Sequence, residues 1–217
     1  MNKYLVEFIG TFFLVFAIGM AVIAPAAGTL APAAGQFAPI VIGATLMVMV
    51  YACGHISGAH FNPAVTIAVW LRGKCATADV PGYIVSQIVA ATAAAFAALY
   101  LKGNPGPAFK EIAVAPALLA EFLGTFALAW VVLNVATAKS TAGNSNYGLA
   151  IGFAVVAMAY AVGGISGGAF NPAVAVGITL MKLVNATDIW IHLVADFAGG
   201  IAAALAFKAL SAEDRAA

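Results

Sequence analysis

Apolar residues fill most of this chain in long, nearly uncharged stretches that are separated by short polar segments. Stretches of this length are typical of helices that cross a membrane. They predict six full spans, at about residues 4–24, 37–54, 82–101, 116–137, 147–163 and 188–208. Two shorter apolar segments, Val65 to Leu71 and Val174 to Leu180, follow the second and the fifth span. At about 1.5 Å of rise per residue, each would cross only half of a hydrocarbon core of about 30 Å.

The same motif stands before each short segment. Gly54 to Val65 (GHISGAHFNPAV) closely matches Gly163 to Val174 (GGISGGAFNPAV). Both contain an Asn-Pro-Ala tripeptide, formed by Asn62, Pro63 and Ala64 and by Asn171, Pro172 and Ala173. Asn is a favoured N-cap and Pro is favoured at the first helical position, while the closely spaced glycines favour a break in the preceding helix. The pattern predicts two half-helices that begin inside the membrane.

The two halves of the chain match beyond this motif. Glu7-Phe8-Ile9-Gly10-Thr11-Phe12 corresponds to Glu121-Phe122-Leu123-Gly124-Thr125-Phe126. We therefore expect one channel domain over residues 1–217, built from a repeat at about 1–103 and another at about 116–210. The match also indicates that the first span belongs to the mature fold and is not a cleaved leader.

Each repeat has three spans, so the second repeat must enter the membrane from the opposite side. A pseudo-twofold axis in the membrane plane then relates the repeats, and the half-helices meet near the midplane. Irregular backbone at that depth is tolerated only where it is buried in protein or lines a wet cavity. The duplication therefore predicts a water-filled path.

Composition excludes several other classes. Of 217 residues, 64% are hydrophobic and 8% are charged, with a mean hydropathy of +1.05. A soluble domain of this composition would have too few polar residues to cover its apolar core. A net charge of +1 gives no reason to expect a nucleic-acid partner. The only two cysteines, Cys53 and Cys75, are not accompanied by other potential metal ligands in the sequence. We therefore expect no disulfide framework, no metal and no cofactor. We also expect no enzyme activity, because no supporting catalytic motif accompanies the few ionisable residues.

Basic residues predict the orientation. With both termini cytoplasmic, six basic residues lie inside, namely Lys3, Arg72, Lys74, Lys139, Lys208 and Arg215. Three lie outside, namely Lys102, Lys110 and Lys182. The bias agrees with the positive-inside rule, and we expect a multi-pass protein of the plasma (inner) membrane in contact with its lipids.

The paired Asn-Pro-Ala motifs, together with Glu-x-x-Gly-Thr in the first and fourth spans, resemble the aquaporin (major intrinsic protein) family over essentially the whole chain. The family includes water channels and glycerol facilitators. The resemblance implies an all-α barrel of six transmembrane helices with two re-entrant half-helices. It also implies a homotetramer with one pore in each subunit.

The side chains of Asn62 and Asn171 can each make two kinds of hydrogen bond. The carbonyl oxygen of the side chain can cap its half-helix while the NH₂ group faces the pore. Glu7 and Glu121 are ionisable groups inside spans, so a transport role must be considered. The family resemblance favours a scaffold role, in which they accept hydrogen bonds from the re-entrant loops. His55 and His60 lie on the loop before the first half-helix, and of the two we expect His60 to line the pore entrance.

One departure from the family pattern concerns the narrowest part of the pore. Family members usually carry Arg after the second Asn-Pro-Ala, and this chain has Val174. Counted without gaps, the other three constriction positions are Ile42, Ala159 and Gly168, and a slip of one residue would bring in Tyr160. Loss of a guanidinium removes five donors. We therefore expect a wider, apolar constriction.

The main interpretation is a passive channel for water and small uncharged solutes. An alternative is a facilitator mainly for a neutral solute other than water, such as glycerol, urea or ammonia. A further alternative is a structural membrane protein with a closed pore. Asp196 occupies the position that Gln87 has in the first repeat, and the sequence leaves open whether it bonds across a helix interface or contacts a neighbouring subunit.

Overall fold

The structure is a computed structural model, and it describes residues 2–28, 33–109 and 111–211. These ranges contain eight α-helices, four short 3₁₀ turns and no strand. The helices are α1 Asn2–Val22, α2 Ala38–Ser57, α3 Pro63–Leu71, α4 Val80–Leu101, α5 Val114–Ala136, α6 Tyr147–Ser166, α7 Pro172–Leu180 and α8 Ile189–Leu210. Lys110 and Arg215, which entered the count of basic residues, lie outside the described residues.

The six long helices have the length and the hydropathy needed to cross a membrane, and α3 and α7 have nine residues each. Six spans and two half-helices are therefore confirmed. Glycines of each motif end the preceding helix as expected, but slightly later than the predicted spans, because α2 continues through Gly54 to Ser57 and α6 continues through Gly163 to Ser166. The left-handed residues Gly58 (φ 85°) and Gly167 (φ 100°) end these helices, as is common at a helix C-terminus.

Loop contacts show that the half-helices enter from opposite faces. At one face, Lys3 near the start of α1 is bonded to Asp79 before α4, and Lys208 near the end of α8 donates to the carbonyl oxygen of Leu71 at the end of α3 (3.2 Å). At the other face, the backbone N–H of Ala108 donates to the carbonyl oxygen of Lys182, just after α7 (3.0 Å). The C-termini of α3 and α7 thus lie at opposite faces, as the inverted repeat requires.

The symmetry-related helices α2 and α6 cross at Gly43 and Gly152. A Cβ on Gly43 would lie 2.6 Å from the carbonyl oxygen of Gly152, and a Cβ on Gly152 would lie 2.5 Å from that of Gly43. The two backbones can approach this closely only because neither residue has a side chain. This crossing fixes how the two repeats face each other around the space where the half-helices meet.

Candidate functional site: the paired half-helices

Each half-helix is capped by its own Asn. The side-chain oxygen of Asn62 accepts from the backbone N–H groups of Ala64 (2.8 Å) and Val65 (3.3 Å). Asn171 does the same with Ala173 (2.9 Å) and Val174 (3.4 Å). Both Asn residues have extended backbone and precede Pro at the first helical position. The expected caps are confirmed.

The amide groups of the two Asn residues also join the repeats. Asn62 Nδ2 donates to the carbonyl oxygen of Phe170 (2.9 Å), and Asn171 Nδ2 donates to that of Phe61 (2.9 Å). Each NH₂ therefore has one N–H engaged in the protein and one left for the cavity that both side chains line. This reciprocal pair of bonds differs from the expectation that the whole NH₂ group faces the pore, because no local signal in the sequence indicates it.

Phe61 and Phe170, which accept these bonds, have left-handed backbone, with φ of 50° and 49°. A non-glycine residue in this region costs on the order of 1–3 kcal/mol, so its neighbours must hold it in place. Each ring lies against a glycine: a Cβ on Gly10 would meet the Phe61 ring at 2.1 Å, and a Cβ on Gly124 would meet the Phe170 ring at 2.2 Å. The glycine of the Glu-x-x-Gly motif thus makes room for the ring of a re-entrant loop.

Glu7 holds the first re-entrant loop. Its carboxylate is fully buried and accepts from Ser57 Oγ (2.7 Å) and from the backbone N–H groups of His60 (2.9 Å) and Phe61 (2.7 Å). Gln87 Nε2 donates to the same carboxylate at 2.9 Å. These four donors are the kind of contacts that the scaffold interpretation expects, and the role of Glu7 as a scaffold stays a prediction.

Glu121 holds the second loop in the same way. It accepts from Ser166 Oγ and from the backbone N–H groups of Ala169 (3.0 Å) and Phe170 (2.7 Å). Two residues differ from the first repeat. In the first repeat, Tyr83 OH donates to the carbonyl oxygen of Ser57 (2.7 Å). At the equivalent position of the second repeat, His192 Nε2 lies 3.0 Å from the carbonyl oxygen of Ser166. Asp196 stands at the position that Gln87 has in the first repeat.

Asp196 is fully buried and bonds across the interface between α8 and α5, where Thr125 Oγ1 donates to Asp196 Oδ1 (2.8 Å). Of the two roles that the sequence left open, the structure supports the bond across a helix interface. His60 is also buried, and it lies against the ring of Tyr83 with Nδ1 3.2 Å from Thr66 Oγ1. It lines the same cavity as the two Asn residues, and its role at a pore entrance stays a prediction.

A cavity of about 240 Å³ lies between the helices. All four residues predicted for the constriction, Ile42, Ala159, Gly168 and Val174, line it. Tyr160, the residue that a slip of one position would bring in, is instead half-exposed, and its hydroxyl donates to the carbonyl oxygen of Gln36 (2.9 Å). Among the described residues that line the cavity, His60 is the only one with an ionisable side chain.

Comparisons with known proteins agree on one family. The family described as "Major intrinsic protein" matches residues 1–207. Aquaporin NIP1-3 of Oryza sativa subsp. japonica is 37% identical over 99% of this chain and 75% of its own length. Glycerol uptake facilitator protein-like 6 of Lactiplantibacillus plantarum is 34% identical over 99% of this chain and its own full length (100%).

A solved structure shows the same fold. The aquaglyceroporin from Plasmodium falciparum superposes with a TM-score of 0.80 at 20% identity, covering 99% of this chain and 98% of its own. The six spans and the two opposed half-helices thus belong to an aquaporin fold. The chain belongs to the major intrinsic protein family, and it is an integral, multi-pass membrane channel and not an enzyme.

Proposed function

We propose that residues 1–217 form a single channel domain that passes water and small uncharged solutes passively through a wide, apolar constriction. The constriction is formed by Ile42, Ala159, Gly168 and Val174. The midplane is formed by the two Asn-Pro-Ala motifs. The channel works as a homotetramer in the plasma (inner) membrane, with both termini in the cytoplasm.

The observation that carries the proposal is the chemistry of the cavity wall. Val174 stands where the family usually has Arg, and its side chain lies at the cavity with no charged group beside it among the described lining residues. Gly168 (φ 65°) adds no side chain at all, and its N–H is bonded to Ser166 Oγ (3.1 Å). A constriction of this kind selects weakly by size and offers few hydrogen-bond donors to a solute.

Ions are excluded chiefly at the midplane. The N-termini of α3 and α7 meet there, and each carries a partial charge of about +0.5. The free N–H of each Asn amide adds a donor to the same place. A permeating water can accept bonds from these two groups, whereas a cation would face two positive helix ends and would lose part of its hydration shell.

The orientation rests on the residues grouped at each face. The face that holds Lys3, Arg72 and Lys208 also holds Lys74, and it is the more basic of the two, so we assign it to the cytoplasm. Lys102 and Lys182 follow α4 and α7 at the opposite face.

The test is stopped-flow light scattering on proteoliposomes, challenged in parallel with an impermeant osmolyte and with glycerol or urea. Fast shrinkage followed by rapid reswelling in glycerol or urea is the expected result. Fast shrinkage without reswelling would show that the constriction is narrow. Reswelling without fast water flux would favour a facilitator for a solute other than water, and no flux above that of empty liposomes would favour a closed structural protein.

A further inference from the structure

The second repeat buries a group of ionisable side chains that the first repeat lacks. Glu121, His192 and Asp196 are all fully buried next to the second re-entrant loop. The equivalent positions in the first repeat carry Glu7, Tyr83 and Gln87, of which only the glutamate has a carboxyl group. Among the described residues, no three His, Cys, Asp or Glu side chains are arranged to hold a metal ion. The group therefore needs another explanation.

In the first repeat, the residue equivalent to Asp196 donates a hydrogen bond to the buried glutamate. Gln87 Nε2 donates to Glu7 Oε2 (2.9 Å), so the amide completes the set of donors around that carboxylate. In the second repeat, the Asp196 carboxyl lies beside Glu121, as Gln87 lies beside Glu7 in the first. A carboxylate can only accept, so two ionised carboxylates side by side at these fully buried positions would repel each other.

The hydrogen-bond partners show where a proton can reside. Asp196 Oδ1 accepts from Thr125, and the backbone N–H of Asn171 also faces this carboxyl group. Asp196 Oδ2 is buried and forms no hydrogen bond of good geometry. Glu121 already accepts from three groups of the second loop, so both of its oxygens are engaged. A proton on Asp196 Oδ2 would therefore give this orphaned oxygen a bond to make and would give Glu121 the donor that Gln87 gives to Glu7.

The other titratable group nearby does not take that proton. His192 Nε2 lies 3.0 Å from the carbonyl oxygen of Ser166, which only accepts, and 3.7 Å from Glu121 Oε1, so this nitrogen carries the hydrogen. Nδ1 is buried without a partner, so a second N–H placed there would have no acceptor. The half-helices α3 and α7 also pack on α8, and neither has an ionisable side chain. Asp188, in the 3₁₀ turn before α8, lies about two helical turns from Asp196.

We propose that Asp196 is a positioning residue that holds the second re-entrant loop through a proton shared with Glu121. Its carboxylic acid takes the place of the Gln87 amide. By donating to Glu121, it completes the donor set of the carboxylate that fixes Ala169 and Phe170, and Phe170 in turn accepts the amide of Asn62. This inference goes beyond the proposed function, since it does not depend on which solute the channel carries.

The test is infrared spectroscopy of the reconstituted protein at neutral pH. The wild type should show the carbonyl stretch of a buried protonated carboxylic acid, and Asp196→Asn should lack it. Gln87→Glu should add a second band of this kind, because it places a second carboxyl group beside Glu7. A wild-type spectrum without a band that Asp196→Asn removes would overturn the proposal, whatever the channel is found to carry.

Water flux gives a second readout. Asn has the size of Asp and can donate to Glu121 while accepting from Thr125, so Asp196→Asn should keep the flux within about twofold of the wild type. Asp196→Leu fills similar space but cannot donate, and it should lose folded yield or flux severalfold. If Asp196→Leu matches Asp196→Asn in both, Asp196 does not position the loop and the proposal is wrong.

Discussion

The side-chain amide of Asn62 donates a hydrogen bond to the backbone carbonyl oxygen of Phe170, 108 positions further along the chain, at 2.9 Å. Asn171 returns the bond to Phe61 at the same distance. The two residues that cap the half-helices therefore also join them. The midplane of the channel is a single hydrogen-bonded unit to which both repeats contribute equally.

Replacing Asn171 by Ala should destabilise the protein by about 2 kcal/mol, because it removes both a helix cap and a buried hydrogen bond. Thermal unfolding of the purified protein in detergent measures this loss. Asn185→Ala is the matched control, since Asn185 caps only the exposed turn before α8 by accepting from the N–H of Thr187 (3.1 Å). An equal, small effect of both changes would show that the bond between the repeats contributes little.

Gly10→Ala should destabilise the protein by about 1–3 kcal/mol, as overpacking does in well-packed interiors. The added Cβ would lie 2.1 Å from the Phe61 ring, which is held by its left-handed backbone and cannot easily withdraw. Gly164→Ala is the control, because a Cβ there meets nothing within 4 Å and Ala favours the helix. Unfolding midpoints that fall equally for the two variants would contradict the role assigned to Gly10.

Glu7→Gln should lower the folded yield and the thermal stability by about 3 kcal/mol. The carboxylate accepts from four donors, whereas a Gln amide offers one acceptor oxygen and turns an NH₂ group toward donors. Size-exclusion profiles and unfolding midpoints measure the effect, with the exposed Glu111→Gln as control. A well-folded Glu7→Gln protein that loses a proton-coupled flux of the wild type would instead assign Glu7 to transport.

Val174→Arg should abolish the reswelling in glycerol and urea while leaving water flux within an order of magnitude, because a guanidinium at the cavity narrows it and adds five donors. The stopped-flow assay of the wild type gives both rates. Val174→Leu is the control for added size without charge, and it should reduce reswelling less. Unchanged glycerol reswelling in Val174→Arg would show that position 174 does not form the narrowest point.

Cys75 reports the orientation. It follows α3, at the face that we assign to the cytoplasm, and it is half-buried, whereas Cys53 is buried on α2. In a Cys53→Ser background, a membrane-impermeant maleimide should label inside-out vesicles and spare right-side-out ones. Labelling of intact cells from outside would reverse the assignment.

Labelling of Cys75 should also depend on pH. Burial, together with the negative charge of Asp79, raises the pKa of the Cys75 thiol. Because the thiolate is the reactive form, a raised pKa leaves less of it at neutral pH. The labelling rate should therefore be slow there and keep rising above the pH at which a free cysteine has levelled off. A rate that levels off with that of free cysteine would contradict this.

Much of this architecture could be predicted from the sequence because it depends on local signals. Long apolar stretches, Asn followed by Pro, and a duplicated motif each carry their meaning within a few residues. The ends of α2 and α6 were less predictable, because Gly54 and Gly163 are tolerated inside a helix and only the left-handed Gly58 and Gly167 end it.

Contacts between distant residues could not be predicted in detail. The sequence paired Asp196 with Gln87 by offset, but nothing local shows that Asp196 lies across from Thr125 and Glu121. The left-handed backbone of Phe61 and Phe170 was likewise hidden, because Phe has no preference for it. It arises from bonds to both sides of each residue, made by a glutamate of its own repeat and an asparagine of the other.

These reciprocal bonds also bear on how the chain is made. The first repeat is synthesised and inserted before Phe170 and Asn171 exist, so until then the amide of Asn62 and the carbonyl oxygen of Phe61 lack the partners that they have in the finished protein. The first half-helix can therefore form these bonds only after the second one has been inserted. Formation of the two bonds between the repeats is therefore a late step of folding, and a chain that stops after the first repeat would lack both of them.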